Sequence, residues 1–274
     1  MAPDTMRGKS RQPNPLAARL TKRAGCLAGN AAAIVGAVLG PLTSWLVIQE
    51  TTHIRPGPIF PPYIIALILT FGGTLSLPIF VTYVAVNLTV GYARSLEYPA
   101  LCTTSLPSKE IVKGYVLAAL RYCRAPVLLM IGLTPAFALW FTPLLTPWVY
   151  FPSASYSPMI AQTASDTLGI VLKWSLIALS CGIGLLGINF MAIAFGVGFG
   201  LWWRSIAPAA AAALAVTIGT TLTVAFSAHR LATGLNIPDL FLQHILQYIF
   251  FVPCPYLIAF GCMQLARRWA RKPG

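Results

Sequence analysis

The sequence predicts an all-α, polytopic membrane protein of about six transmembrane helices with its N- and C-termini in the cytoplasm. Three observations predict it. Of the 274 residues, 57% are hydrophobic and only 9% charged, whereas soluble domains carry about 25% charged residues. The apolar residues gather into long runs, and about 20 such residues suffice to cross the hydrocarbon of a bilayer. The Lys and Arg residues behind the net charge of +13 sit at the ends of those runs. That is a topological pattern rather than a solvated basic face, so nucleic acid is not expected as a partner.

The elements follow in order. Residues 1–26 read as a basic cytoplasmic tail: 1–13 are too polar to bury a core, and Asn14 followed by Pro15 starts a helix that can lie on the membrane surface. The run 27–48 follows Arg19, Lys22 and Arg23. It exceeds the apolar core of about 7–15 residues of a cleaved signal peptide, so a retained span is expected. Further spans are expected over 64–92, 125–142, 168–201, 206–227 and 240–265, giving a transmembrane domain over 27–265 and a basic cytoplasmic tail over 266–274. Pro78 is placed to kink the second span, and Gly182, Gly184 and Gly187 to loosen the fourth.

Charge sets the orientation, because connections rich in Lys and Arg stay in the cytoplasm. With these spans, all 19 basic residues fall on one side except Arg55, Lys173 and Arg230. The segment 143–167 on the opposite side has no Lys or Arg and carries Trp148, Tyr150, Phe151 and Tyr156. Trp202 and Trp203 beside Arg204, and Trp269 beside Arg268, read as aromatic anchors at the cytoplasmic interface.

The six cysteines form no CxxC pair and lie mostly in or beside apolar runs, where Cys acts as a small hydrophobe. His53, His229 and His244 are scattered. No disulfide and no metal site is expected. No GxxxxGK[ST], HExxH or GxSxG sequence occurs, so no catalytic residue, no cofactor and no enzymatic activity of the chain's own are expected.

The segment 93–124, ARSLEYPALCTTSLPSKEIVKGYVLAALRYCR, differs from a plain polar connection. Leu106, Ile111, Val112, Val116, Leu117 and Leu120 recur at the spacing of an amphipathic helix that begins after Ser108. Such a helix can run on into the third span, with Pro126 permitting a bend.

Here the chain resembles the permease subunits of type-2 ABC transporters. Those permeases carry, between their second and third spans, a cytoplasmic segment of the form Leu-Leu-x-Thr-Pro-Leu-Ser-Pro-x-Glu-Ile-Val-x-Gly-Lys. The matching positions are Leu101, Thr104, Leu106, Glu110, Ile111, Val112 and Gly114, with Lys109 beside them. Ser105 stands where Pro is usual, Pro107 and Ser108 reverse the common order, and Tyr115 replaces Lys. The resemblance implies a coupling helix that docks on a separate ATP-binding subunit, and a second permease subunit, as homodimer or heterodimer, in the cell membrane. On this reading Leu101, Thr104, Leu106, Lys109, Glu110, Ile111 and Gly114 couple the spans to the ATPase partner, with Leu106 and Ile111 offering apolar surface to its groove. ATP is hydrolysed by that partner.

Two further features bear on the spans. Gly196 and Gly200 stand at GxxxG spacing, which lets helices approach closely within a subunit or across a dimer seam. Asn189, near the middle of the fourth run, must find a hydrogen-bond partner away from lipid, as a helix tie or along a translocation path. The alternative is a multi-span protein outside the ABC class: a scaffold subunit of a membrane complex or an ion-driven carrier. A carrier calls for carboxylates near the midplane of its spans, and the runs provide none.

Overall fold

The computed structural model describes Leu16, residues 34–35, 38–39, 42, 61–94, 106–132, 134, 164–235, 246 and 249–270. Among these residues the chain is helical and contains no strand. Six helices organise it: α1 (Pro61–Ala93), α2 (Ser108–Tyr122), α3 (Arg124–Gly132), α4 (Ala164–Trp203), α5 (Ile206–Gly234) and α6 (Pro253–Trp269). The expected first span, 27–48, lies largely outside the described residues.

Four helical stretches, within α1, α4, α5 and ending in α6, are long and apolar enough to cross a membrane, and the bent pair α2–α3 makes a fifth if it is one span. This is the build of a multi-pass membrane protein. The 33 residues of α1 and the 40 of α4 reach about 50 and 60 Å at 1.5 Å per residue. Both exceed the roughly 30 Å hydrocarbon core.

Proline chemistry sets the breaks. Pro78 is inside α1; it has no N–H to give, and Thr82 Oγ1 donates a 2.7 Å bond to the Pro78 carbonyl. Between α2 and α3 the axis turns by 59°. Pro126 accounts for the turn, because its ring clashes with the carbonyl four residues back, at Tyr122, where α2 ends. The expected helix from Ser108 therefore forms, but it does not run straight into the third span. At the start of α6, Pro253 occupies the first turn, where a missing N–H leaves no bond unmade.

α4 is the central helix. Of its stretch Leu179–Trp203, 78% is buried, against 22% for the corresponding stretches of α5 and α6. Its glycines set the approach of its neighbours. A methyl group on Gly196 would lie 2.6 Å from Ala85 Cβ and 2.8 Å from the Thr82 carbonyl oxygen, and one on Gly200 would lie 2.9 Å from Thr89 Cβ. The GxxxG pair is therefore occupied by α1 of the same chain. Gly184 and Gly187 face the rings of Phe251 and Tyr256 just as closely, and Tyr256 Oη donates to the Ile183 carbonyl at 2.9 Å. These glycines seat aromatic rings; expected to loosen the helix, they tighten its packing.

The contacts fix relative direction. Along α4, Gly196 and Gly200 meet Ala85 and Thr89 in the same order, and Gly184, Gly187 and Gly198 meet Phe251, Tyr256 and Cys262 in the same order. Hence α1, α4 and α6 run parallel, and their C-terminal ends gather at one end of the bundle. α5 returns from that end after the two-residue elbow Arg204–Ser205.

Candidate functional site at the basic end of the bundle

The end where α1, α4 and α6 finish carries Arg94, Arg204, Arg267 and Arg268. Helix α2 joins them there. Pro107 is extended, and its carbonyl accepts the Glu110 and Ile111 N–H groups at 2.9 and 3.3 Å, which starts the helix. Glu110 in the first turn and Arg121 in the last complement the helix dipole. The ring of Tyr115 meets that of Tyr92, next to the end of α1, edge to face at 6.0 Å. Farther along the chain, Thr134 lies against Gly182. The pair α2–α3 thus enters the bundle at the basic end and climbs alongside α4 toward its N-terminal half.

The two faces of α2 are sharply different. Ile111, Val112, Tyr115, Val116 and Ala119 are buried in one core with Val81 and Ala85 of α1, Val197 and Leu201 of α4, and Ala266 of α6. Gly114 is buried as well. On the other face Lys109, Lys113 and Arg121 are exposed, and Lys113 reaches Glu110 at 3.8 Å. Leu106 is half-buried and packs against the same core. Leu101 and Thr104 lie outside the described residues. The expectation that Ile111 is offered outward is corrected here: at 1% exposure its side chain belongs to the chain's own bundle. The reason is that three helix ends converge under α2 and present the apolar surface that a partner's groove was expected to supply.

Beside α2, the elbow between α4 and α5 is held by a bond that the sequence reading missed. Arg204 has φ 50°, a left-handed conformation that ends a helix and that glycine usually fills. Its N–H still donates to the Gly200 carbonyl at 3.1 Å. Its own carbonyl accepts a 2.9 Å bond from Arg94 Nε. No spacing rule links residues 110 positions apart; the only signal was a basic residue at each helix end.

Higher in the bundle, buried polar groups cluster on α1, α4 and α5. Thr82, Thr89, Asn189 and Thr217 are all buried. Thr82, Thr89 and Thr217 each bond to a carbonyl four residues back, and Thr82 and Thr217 hydroxyls meet at 3.3 Å between helices. Asn189 Nδ2 donates to the Leu185 carbonyl of its own helix at 2.8 Å. Its Oδ1 is buried without a partner among the described residues, a loss of about 1–3 kcal/mol. Among the described residues no three His, Cys, Asp or Glu side chains come together to hold a metal ion.

Comparison with protein-family models, with curated proteins and with solved structures finds no match for the chain.

Proposed function

We propose that the chain is the membrane-spanning permease subunit of an ABC transporter of type-2 kind in the cell membrane. It works as one of two membrane subunits, and a separate cytoplasmic ATP-binding subunit hydrolyses the ATP. The supporting observation is α2: a helix beginning at Ser108 within the segment that resembles the family motif, with a charged edge at Lys109, Glu110 and Lys113 and a buried face wedged among α1, α4 and α6.

In this reading the basic end faces the cytoplasm. Closure of the ATP-binding subunits pushes on the charged edge of α2, which is steered to its partner by charge. Because Ile111, Val112 and Tyr115 are packed among three helix ends, the displacement reaches those helices directly. The bend at Cys123 lets α2 tilt against α3. Gly114 lies on the buried face of α2, and Leu106 packs against the same core at its start.

Purification of the tagged chain in mild detergent tests the assignment: an ATP-binding protein is expected to accompany it, and its absence counts against the permease reading. One observation favours the alternative, a scaffold subunit outside the ABC class. The burial of Ile111 makes α2 an internal brace, which a scaffold needs and which serves without an ATPase. Changing Leu106 and Glu110 together separates the two, since only a coupling helix alters the partner's ATPase rate.

A further inference from the structure

Asn189 is 5% exposed. Its Nδ2 donates to the Leu185 carbonyl at 2.8 Å, and its Oδ1 has no partner among the described residues. The register of α4 against α1 fixes what that oxygen faces. Asn189 stands seven residues, close to two turns, before Gly196 and therefore shares its face. Gly196 meets Thr82 and Ala85 of α1, and the two helices run parallel. Seven residues before Ala85, on the same face of α1, is Pro78, which is buried. Pro78 has no N–H to offer the carbonyl of Thr74, four residues back in the same helix. A buried acceptor on α4 is thus level with a carbonyl of α1 deprived of its helical donor. The hydroxyls one turn nearer the basic end are committed: Thr82 donates to the Pro78 carbonyl at 2.7 Å, and Thr217 donates to the Ala213 carbonyl at 2.7 Å.

We propose that a water molecule binds between α1 and α4 at this level, donating one proton to Asn189 Oδ1 and the other to the Thr74 carbonyl. Two acceptors short of donors call for a ligand that carries two protons, and water is the smallest. Ordered water is one of the means by which a proline is tolerated within a membrane helix, because it re-satisfies the freed backbone group. A cation fits less well: no Asp or Glu occurs within 61–93, 179–234 or 253–269 to balance its charge away from solvent. The bonds that the water makes are offset in part by the entropy lost in ordering it. Asn189 therefore recruits the water without adding much to the stability of the fold. The site joins α1 to α4 at the kink and stands whether or not the chain is a permease.

The full chain, deuterated and carrying 15N only in asparagine, tests the site by NMR in detergent micelles. The sequence has five asparagines, Asn14, Asn30, Asn87, Asn189 and Asn236, and Asn189→Leu identifies the side-chain amide signal of Asn189 by its loss. The wild type should show dipolar cross-peaks between water and the Asn189 amide protons, of opposite sign in the laboratory and rotating frames. That sign pattern marks a bound water and excludes proton exchange. Pro78→Ala gives the Thr74 carbonyl a helical N–H, removes one of the two acceptors that hold the water, and should weaken these cross-peaks severalfold while the Asn189 amide signal remains. A wild type without the cross-peaks overturns the proposal and leaves a dry interface. Cross-peaks undiminished in Pro78→Ala also overturn it, because the water would then be held without Thr74. Should Pro78→Ala misfold, cross-peaks between water and the ring δ-protons of Pro78 in the wild type replace it: their presence supports the site, and their absence counts against it.

Discussion

Arg94 Nε donates a 2.9 Å hydrogen bond to the backbone carbonyl of Arg204, tying the end of α1 to the elbow between α4 and α5. Two helix ends far apart in sequence therefore move together. The acceptor belongs to a residue in the left-handed region, φ 50°, which costs a non-glycine residue about 1–2 kcal/mol. Arg204→Gly should relieve that strain and stabilise the fold by about 1 kcal/mol. Arg94→Ala should lower stability by about 1 kcal/mol, the usual net value of one hydrogen bond. Thermal unfolding in detergent, followed by circular dichroism, measures both. An Arg204→Gly chain that unfolds earlier than its parent contradicts the strain argument.

Gly196 is the tightest point between α1 and α4. A Cβ there meets backbone, the Thr82 carbonyl at 2.8 Å, as well as Ala85 Cβ at 2.6 Å, so no side-chain rotation can make room. Gly196→Ala should destabilise by about 1–3 kcal/mol, the range for overpacked cores. Gly219 has nothing within 4 Å of its own added Cβ. Gly219→Ala should therefore be neutral or stabilise by up to about 1 kcal/mol through helix propensity. A similar response from both glycines, in the same melting experiment, would remove the packing role assigned to Gly196.

These glycines also mark how far the sequence could be read. The helical class, the spans of α1, α4 and α5 and the start of α2 at Ser108 were legible, because hydropathy and proline placement are local properties. The spacing of Gly196 and Gly200 announced a close approach but not its partner; α1 of the same chain takes that place. Pro126 announced a bend, and the 59° turn appears where its ring meets the carbonyl of Tyr122. The amphipathic pattern of α2 was legible too, yet periodicity says only that Ile111 and Val112 share a face. What covers that face is α1, which precedes it in the sequence, together with the ends of α4 and α6 more than 70 residues later. The Arg94–Arg204 bond and the Thr82–Thr217 contact were illegible for the same reason.

Asn189 offers a choice between holding helices together and serving a path. Its amide nitrogen bonds only within its own helix, and its oxygen is buried without a partner among the described residues. Asn189→Leu should therefore leave stability unchanged or raise it by up to about 1 kcal/mol, since an unpaired buried acceptor is removed with one intrahelical bond. A loss of several kcal/mol would mean that Asn189 ties two helices. Thr82 and Thr217 behave differently, because their hydroxyls meet between helices at 3.3 Å. A double-mutant cycle with Thr82→Val and Thr217→Val should return a coupling of about 0.6 kcal/mol, the mean for such bonds in membrane proteins.

The two faces of α2 give the prediction that bears most directly on function. Ile111 is 1% exposed and sits in the core shared with α1, α4 and α6. Ile111→Ala should cost about 2–5 kcal/mol, as for other buried aliphatic truncations, and should damage any activity through folding. Lys109 and Lys113 are exposed, and the ionic contact of Lys113 with Glu110 spans 3.8 Å at the surface, so its loss should shift stability by less than about 1 kcal/mol. Lys109→Glu with Lys113→Glu should therefore leave the melting temperature of the isolated chain nearly unchanged. Under the permease reading proposed above, the same reversal in a complex reconstituted with an ATP-binding subunit should weaken association and reduce stimulation of ATPase by about tenfold or more, because it reverses the charge that the proposed steering relies on. Partner affinity and melting temperature measured on one preparation decide the matter. Intact stimulation after the reversal would place the coupling surface away from α2, whereas equal losses of stability and stimulation would make α2 a structural brace alone.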